Sequence, residues 1–397
     1  MTNIKLLIEL ENDKFIFYVV ELNDKGFKVL EKIRIKSKGL NFCKIVDLND
    51  CVLTVQDSLF QIEKKLNHTF DHIILIIDNH ETEIINVTGS KKLRGEQLSK
   101  QDISYIINSL QKQIIQNDPK KEIIHLFNTF FKLDGTEKKN LPLGMAGDFY
   151  SHQLTFLLNK KNDLKNLQIL FRRCNLTIER FLNRNFLAGM SICNTLSNDS
   201  FFSIHLGKEK SNISFFYNGS FSYLENFRFG TNIIKKDISK LCLLELFTID
   251  KILSEINFDQ ELDEKYLDKK FFNNTNYRKI SLSHFKEIMF ARLQELFDLI
   301  LINNINISYL KSNIDKCLIF VEDQSIFNSL KKSLFEYLEK KEKNKTFIIK
   351  KLNQNDEYQI CNLGVILIQD GWRREVLSIT RSKKSLISRV FNSLFGG

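Results

Sequence analysis

Residues 122–159 read EIIHLFNTFFKLDGTEKKNLPLGMAGDFYSHQLTFLLN, and this stretch decides the fold. Residues 122–133 are dense in Ile and Phe, types that suit a pleated, half-buried surface. Residues 151–159 form a second apolar run of strand character. Between them lie Asp134-Gly135, Pro142, Gly144 and Gly147, which turn or interrupt a backbone, so the two runs are expected to pair as a long-looped hairpin. The chain has only 2 prolines; Pro119 leads into this unit and Pro142 sits in its loop.

Composition narrows the class. A chain of 397 residues has room for two or more domains with sizeable cores. Its 43% hydrophobic and 27% charged residues are those of a soluble globular protein. A net charge of +10 would suit nucleic acid or an anionic membrane surface. The lysines are spread along the chain, however, and runs such as 339–345 mix both signs, so they read as solvated faces and no nucleic acid is expected. The 7 cysteines are widely spaced without a CxxC pair, which predicts buried free thiols in a reducing cytosol. The N-terminus has no signal-peptide pattern, and no apolar run approaches the ~18 residues of a membrane span.

Taken in order, residues 4–10 alternate with Ile4, Leu6, Ile8 and Leu10 on one face. Strands are predicted next at 15–21 and 27–35. Residues 50–66 switch to helical period, and 72–78 (HIILIID) reads as a buried parallel strand. The same order recurs downstream: strands at 201–206, 212–217 and 221–227, one long helix over 233–256, a strand at 317–321 and a helix at 326–338. Two insertions interrupt this repeat. Residues 79–160 hold a strand, a helix starting at the cap candidate Ser99, and the opening hairpin. Residues 257–309 add helices, the longest carrying Leu282, Phe285, Ile288, Met289, Leu293, Leu296 and Ile300 in phase.

The Pro-Leu-Gly-Met-Ala-Gly loop (142–147) behind the Ile-Ile-His-Leu-Phe strand resembles the bacterial cell-division family FtsA. In that family this hairpin closes a small subdomain inserted into an actin-like body. Residues 281–300, with Arg292 and Glu295, resemble a helix of the same family. The resemblance implies a duplicated α/β fold of the actin-like (ribonuclease H-like) type, two domains around a cleft. It divides the chain into a first domain (1–78 and 161–197), an inserted α+β subdomain (79–160), a second domain (198–235 and 310–377), a helical insertion (236–309) and a tail (378–397).

The family also implies ATP with magnesium, held on two glycine turns whose backbone N–H groups approach the phosphates. Here the first turn reads Glu9-Leu10-Glu11-Asn12, followed by Lys14, with Glu11 where the family has glycine. The second reads His205-Leu206-Gly207-Lys208-Glu209-Lys210, and the adenine-side loop Val321-Glu322-Asp323-Gln324-Ser325. Either Lys14, Lys208 and Lys210 rebuild a phosphate site by charge, or side chains fill the site and nothing binds. A carboxylate ~4 Å from a phosphate costs on the order of 4 kcal/mol at intermediate dielectric. The second reading is therefore favoured: no cofactor, and no catalysis of the kinase or chaperone-ATPase kind. His68, His72 and His80 suggest a metal only weakly, without an HExxH pattern.

After Glu375 no acidic residue remains. Leu386, Ile387, Val390, Phe391, Leu394 and Phe395 form one helical stripe; Arg381, Lys383, Lys384 and Arg389 supply positive charge, and Gly396-Gly397 stop the helix. This is the pattern of an interfacial membrane anchor on anionic phospholipid. By resemblance, the chain is expected to tether the tubulin-like protein FtsZ to the inner face of the cytoplasmic membrane at the division site. It would also self-associate and contact later division proteins. Arg278, Arg292 and Glu295 are the candidates for the FtsZ-facing surface. An ATP-using actin-like or kinase-like enzyme and a pilus-assembly adaptor are the alternatives.

Overall fold

The computed structural model describes residues 3–23, 26–78, 81–195, 200–260, 265–272, 277–311, 314–351, 354–372 and 374–378. Two compact units emerge: Met1–Asp199 with Phe216–Tyr223 and Gln354–Gly397, and Ser200–Phe215 with Leu224–Asn353.

In the first unit, β1 (Asn3–Glu11), β2 (Lys14–Asn23) and β3 (Gly26–Lys36) run antiparallel in turn. The β1–β2 turn is tight, with Glu11 opposite Lys14 and Asn12 left-handed at φ 49°, a region asparagine tolerates better than most residues. A two-residue pair, β4 (Leu40–Asn41) and β5 (Lys44–Ile45), precedes α1 (Leu48–Leu66). Asp47 caps α1 by accepting from the N–H groups of Asn49 and Asp50, and Asn67, left-handed at φ 48°, ends it. Cys51, Val55, Leu59 and Ile62 form its buried stripe. Then β6 (His72–Ile77) enters parallel to β1, buried as its apolar run predicts.

The insertion comprises β7 (Glu83–Lys92), α2 (Lys100–Asn117), β8 (Lys121–Leu133), β9 (Thr136–Lys138) and β10 (Phe149–Lys160). β8 and β10 form the expected hairpin, antiparallel with two register shifts. Ser99 and Asp102 close a capping box at the start of α2. Ile103, Ile106, Ile107 and Leu110 pack on Leu126, Leu154, Phe156 and Leu158 of the sheet. Each such side chain contributes about 1.5–3 kcal/mol by leaving water. Gly89 lets α2 come this close, since a Cβ there would lie 2.4 Å from Ile106 Cγ2. The unit continues through α3 (Lys161–Arg173), β11 (Thr177–Asn183) and α4 (Arg184–Thr195), giving a sheet of order β11-β6-β1-β2-β3.

The second sheet is built from β12 (Phe201–Leu206), β13 (Ser211–Tyr217), β14 (Ser220–Phe227), β15 (Lys316–Val321) and β16 (Thr346–Lys351), in the order β14-β13-β12-β15-β16. Three strands that are neighbours in sequence, then two parallel additions, repeat the plan of the first sheet. The helix predicted over 233–256 is two helices, α5 (Asn232–Cys242) and α6 (Leu246–Glu255). Leu243, left-handed at φ 52°, breaks it, a conformation periodicity does not register. α7 (Leu282–Phe297) ends in a π-helical turn, Asp298–Ile302. α8 (Ser308–Lys311) and α9 (Gln324–Lys341) complete the unit, α9 kinking at Leu330.

The chain then returns to the first unit with α10 (Gln354–Gln369) and β17 (Glu375–Ser378). β17 adds to the edge of the inserted sheet, whose order is β17-β8-β10-β7. Residues 354–377, assigned to the second domain from sequence, thus cluster with the first.

Candidate functional site

In the first unit, Glu9 is 3% exposed at the end of β1. Its Oε1 accepts from Arg184 Nε at 2.6 Å and its Oε2 from the Tyr18 hydroxyl at 3.3 Å. Both carboxylate oxygens are therefore engaged by the protein. Arg184 opens α4 directly after β11, which runs parallel to β6 and β1 and so brings it to the end of the sheet that holds the β1–β2 turn. Burial works against its charge, but the carboxylates of Glu9, Asp78 and Glu11 hold it far above the ordinary arginine value, so the guanidinium stays charged. Glu11 lies 3.5 Å from Arg34, and the Asn12 carbonyl accepts from Cys43 N at 2.9 Å. Lys14 is the cross-strand partner of Glu11.

In the second unit, His205 and Gly207 end β12 and enter the turn to β13. Gly207 N donates to Lys210 O at 3.0 Å, closing the turn on itself. Lys208 N donates to Glu322 Oε2 at 3.0 Å. A Cβ on Gly207 would lie 2.6 Å from Lys210 O and 3.2 Å from that same Glu322 oxygen. Gly207 is needed here because its own turn and the Glu322 carboxylate fill the space. Beside it, Lys235 Nζ bridges Asp250 Oδ1 and Asp323 Oδ2, both at 2.6 Å.

The FtsZ-facing candidates behave differently from one another. Arg292 on α7 bonds Asp237 of α5 through Nε and Glu295 through Nη1 at 2.6 Å, so this arginine joins two helices. Arg278 is exposed, and its Nη1 donates to Leu243 O at 3.3 Å. That contact brings it to a corner where Leu241, Leu243, Leu246 and Phe247 stand open to solvent, Leu243 at 70% and Phe247 at 77% exposure. Sequence reasoning missed this apolar corner because it ran one helix through it; the cluster of leucines ahead of Phe247 was the available signal.

The 142–147 loop clasps the segment between β7 and α2. Gly144, left-handed at φ 73°, donates its N–H to Leu98 O at 3.0 Å, and Leu98 N returns a bond to Met145 O at 3.0 Å. Elsewhere in this unit, Glu375 of β17 is buried with His125 and Arg180. Neither Glu375 nor Arg180 was singled out in sequence. Lys383, Lys384, Leu386, Ile387, Arg389, Val390, Phe391, Leu394 and Phe395 lie outside the described residues, as does His80. Among the described residues no helix is long and apolar enough to cross a membrane, and no cluster of three or more His, Cys, Asp or Glu is arranged for a metal.

Two five-stranded sheets of one plan, each with helices, and an α+β insertion in the first define an α/β protein of the actin-like fold. A solved structure of the PilM-PilN type IV pilus biogenesis complex shares this fold over 92% of the chain and 98% of its own, at TM-score 0.57 and 7% identity. The SHS2 domain inserted in FtsA matches residues 79–151. Cell division protein FtsA of Rhizobium meliloti (strain 1021) is 23% identical over 209 residues, 52% of this chain and 46% of its own. FtsA of Bacillus subtilis (strain 168) is 20% identical over 310 residues, 76% of this chain and 70% of its own. The match thus spans about half the length of the Rhizobium protein. The chain is a divergent relative of the FtsA family.

Proposed function

We propose that this protein is a peripheral adaptor of bacterial cell division that links FtsZ to the inner face of the cytoplasmic membrane. The observation carrying this reading is the FtsA-type insertion at 79–151, set between strands of the first actin-like sheet. The amphipathic pattern of 385–395 is the membrane-binding element: six apolar side chains give several kcal/mol on partial burial, and its basic residues add up to about 1 kcal/mol each on anionic lipid. The apolar corner of Leu243 and Phe247, with the Arg278 guanidinium beside it, is the surface for FtsZ, its exposed apolar side chains and positive charge suiting an apolar segment that carries a carboxylate. Arg292 supports that corner by holding α7 to Asp237 of α5, and Glu295 on the same helix engages the other side of its guanidinium. The inserted subdomain serves self-association and contacts with later division proteins. On this reading the protein works by contact and is not an enzyme.

Co-sedimentation with anionic vesicles and FtsZ tests the reading, using the full chain and a chain truncated after Thr380. The full chain is expected to bring FtsZ down with the vesicles and the truncated chain to leave it in the supernatant. If the full chain recruits no FtsZ, the adaptor role fails; if truncation changes nothing, the tail assignment fails.

A further inference from the structure

The family resemblance implies MgATP, and the residues at both turns do not fit it. Where a metal needs an open carboxylate, Glu9 has both oxygens committed, one to the Arg184 guanidinium at 2.6 Å and one to Tyr18. Where a phosphate needs free backbone N–H groups, Gly207 N is spent on Lys210 O and Lys208 N on the Glu322 carboxylate. In each unit the charge that fills the turn has the sign of the missing ligand: a cation beside the carboxylate, an anion on the amide.

We propose that the chain supplies its own counter-ions in place of MgATP, Arg184 standing for the metal at the first turn and Glu322 for the phosphate at the second. Each turn is then held in a ligand-satisfied arrangement by covalently attached groups. A guanidinium can do this because it is a permanent cation whose N–H donors meet a carboxylate directly, without the hydration a magnesium ion keeps. A carboxylate on a backbone N–H makes the same charge-assisted bond that a phosphate oxygen makes. The consequence is regulatory: the activity of this protein does not follow cellular ATP, and no hydrolysis resets it. The inference is independent of the division role, since it concerns only the two turns.

The test compares the full-length wild type with Glu322→Gln and Arg184→Ala by calorimetric titration and thermal unfolding. Wild type is expected to give no binding heat with MgATP or MgADP and no shift of Tm with either. Glu322→Gln, on an exposed turn flanked by Lys208 and Lys210, is expected to fold and to gain a Tm that rises with inorganic phosphate at constant ionic strength. Arg184→Ala is expected to lose thermal stability and to recover part of it with magnesium but not with an equivalent ionic strength of sodium. Saturable MgATP binding by wild type would overturn the proposal. So would a folded Glu322→Gln that ignores phosphate, which decides the second turn even if Arg184→Ala fails to fold.

Discussion

His125 and Glu375, 250 positions apart, share a buried hydrogen bond of 2.5 Å. Asn183 N donates to His125 Nε2 at 3.0 Å, so in the neutral ring the proton sits on Nδ1 and points at the carboxylate. Arg180, also buried, binds the same Glu375 oxygen and donates to Leu367 O at 3.2 Å. Burial would push Glu375 up, but Arg180 and His125 together hold it below the usual carboxylate range. Replacing Glu375 by Gln leaves the Arg180 charge buried without its anion and is expected to cost about 3–5 kcal/mol, read from urea unfolding. Adding Arg180→Met should restore part of that loss. An additive double variant would mean the two side chains are energetically separate.

Acid should destabilise the inserted subdomain before the carboxylates titrate. Burial holds the His152 ring down at about 3, while Nε2 lies 2.8 Å from Asn128 Oδ1. His125 is lowered too, by burial first, with Glu375 pulling the other way. A histidine depressed in the folded state takes up its proton on unfolding. Stability is therefore complete above the unfolded value near 6.5 and falls as pH drops from there, for His152 down toward about 3 at about 1.4 kcal/mol per pH unit, with His125 adding in the same direction. Urea midpoints followed from about pH 7.5 to 5 should show this slope, and His152→Gln should flatten it.

Gly89→Ala tests the close approach of α2 to its sheet. The added methyl would sit 2.4 Å from Ile106 Cγ2, so the helix must lift or Ile106 must leave its rotamer. A loss of about 1–3 kcal/mol is expected, and it should shrink in a chain where Ile106→Ala has already removed the clashing Cγ2.

Phe247→Glu separates surface function from folding. At 77% exposure the ring contributes little to the core, so stability should change by no more than about 0.5 kcal/mol. Recovery of FtsZ with vesicles should nevertheless drop sharply, while lipid binding of the chain itself stays unchanged. Full FtsZ recruitment by this variant would remove the Leu243–Phe247 corner from the interface.

Local pattern made most of the fold legible. The alternation of β1, the capping box of α2 and the apolar run of β6 are written in adjacent residues, and each appears where its pattern predicts. The repeat of one strand order in two sheets followed from that list of elements. What stayed hidden depends on distant partners or on single backbone angles. Nothing near Arg184 announces that it will meet Glu9, and nothing near Glu375 announces β8. Leu243 continues the helical period it breaks, since a left-handed leucine leaves no mark in an apolar pattern. Of the candidate site residues, Glu9, Gly207, Lys208 and Glu322 were read from the family's loops; that Lys208 and Glu322 bond one another, and that Arg184 and Tyr18 hold Glu9, was not.

β17 gives the tail a mechanical address. Its register pairs Glu375 with Phe127 and Ser378 with His125, so the chain leaves the inserted sheet beside the early part of β8. Tension on a tail anchored in a membrane would enter at Ser378 and reach the Glu375 clasp last. The inserted subdomain would carry that load first, peeling a four-residue edge strand against a buried ionic stop.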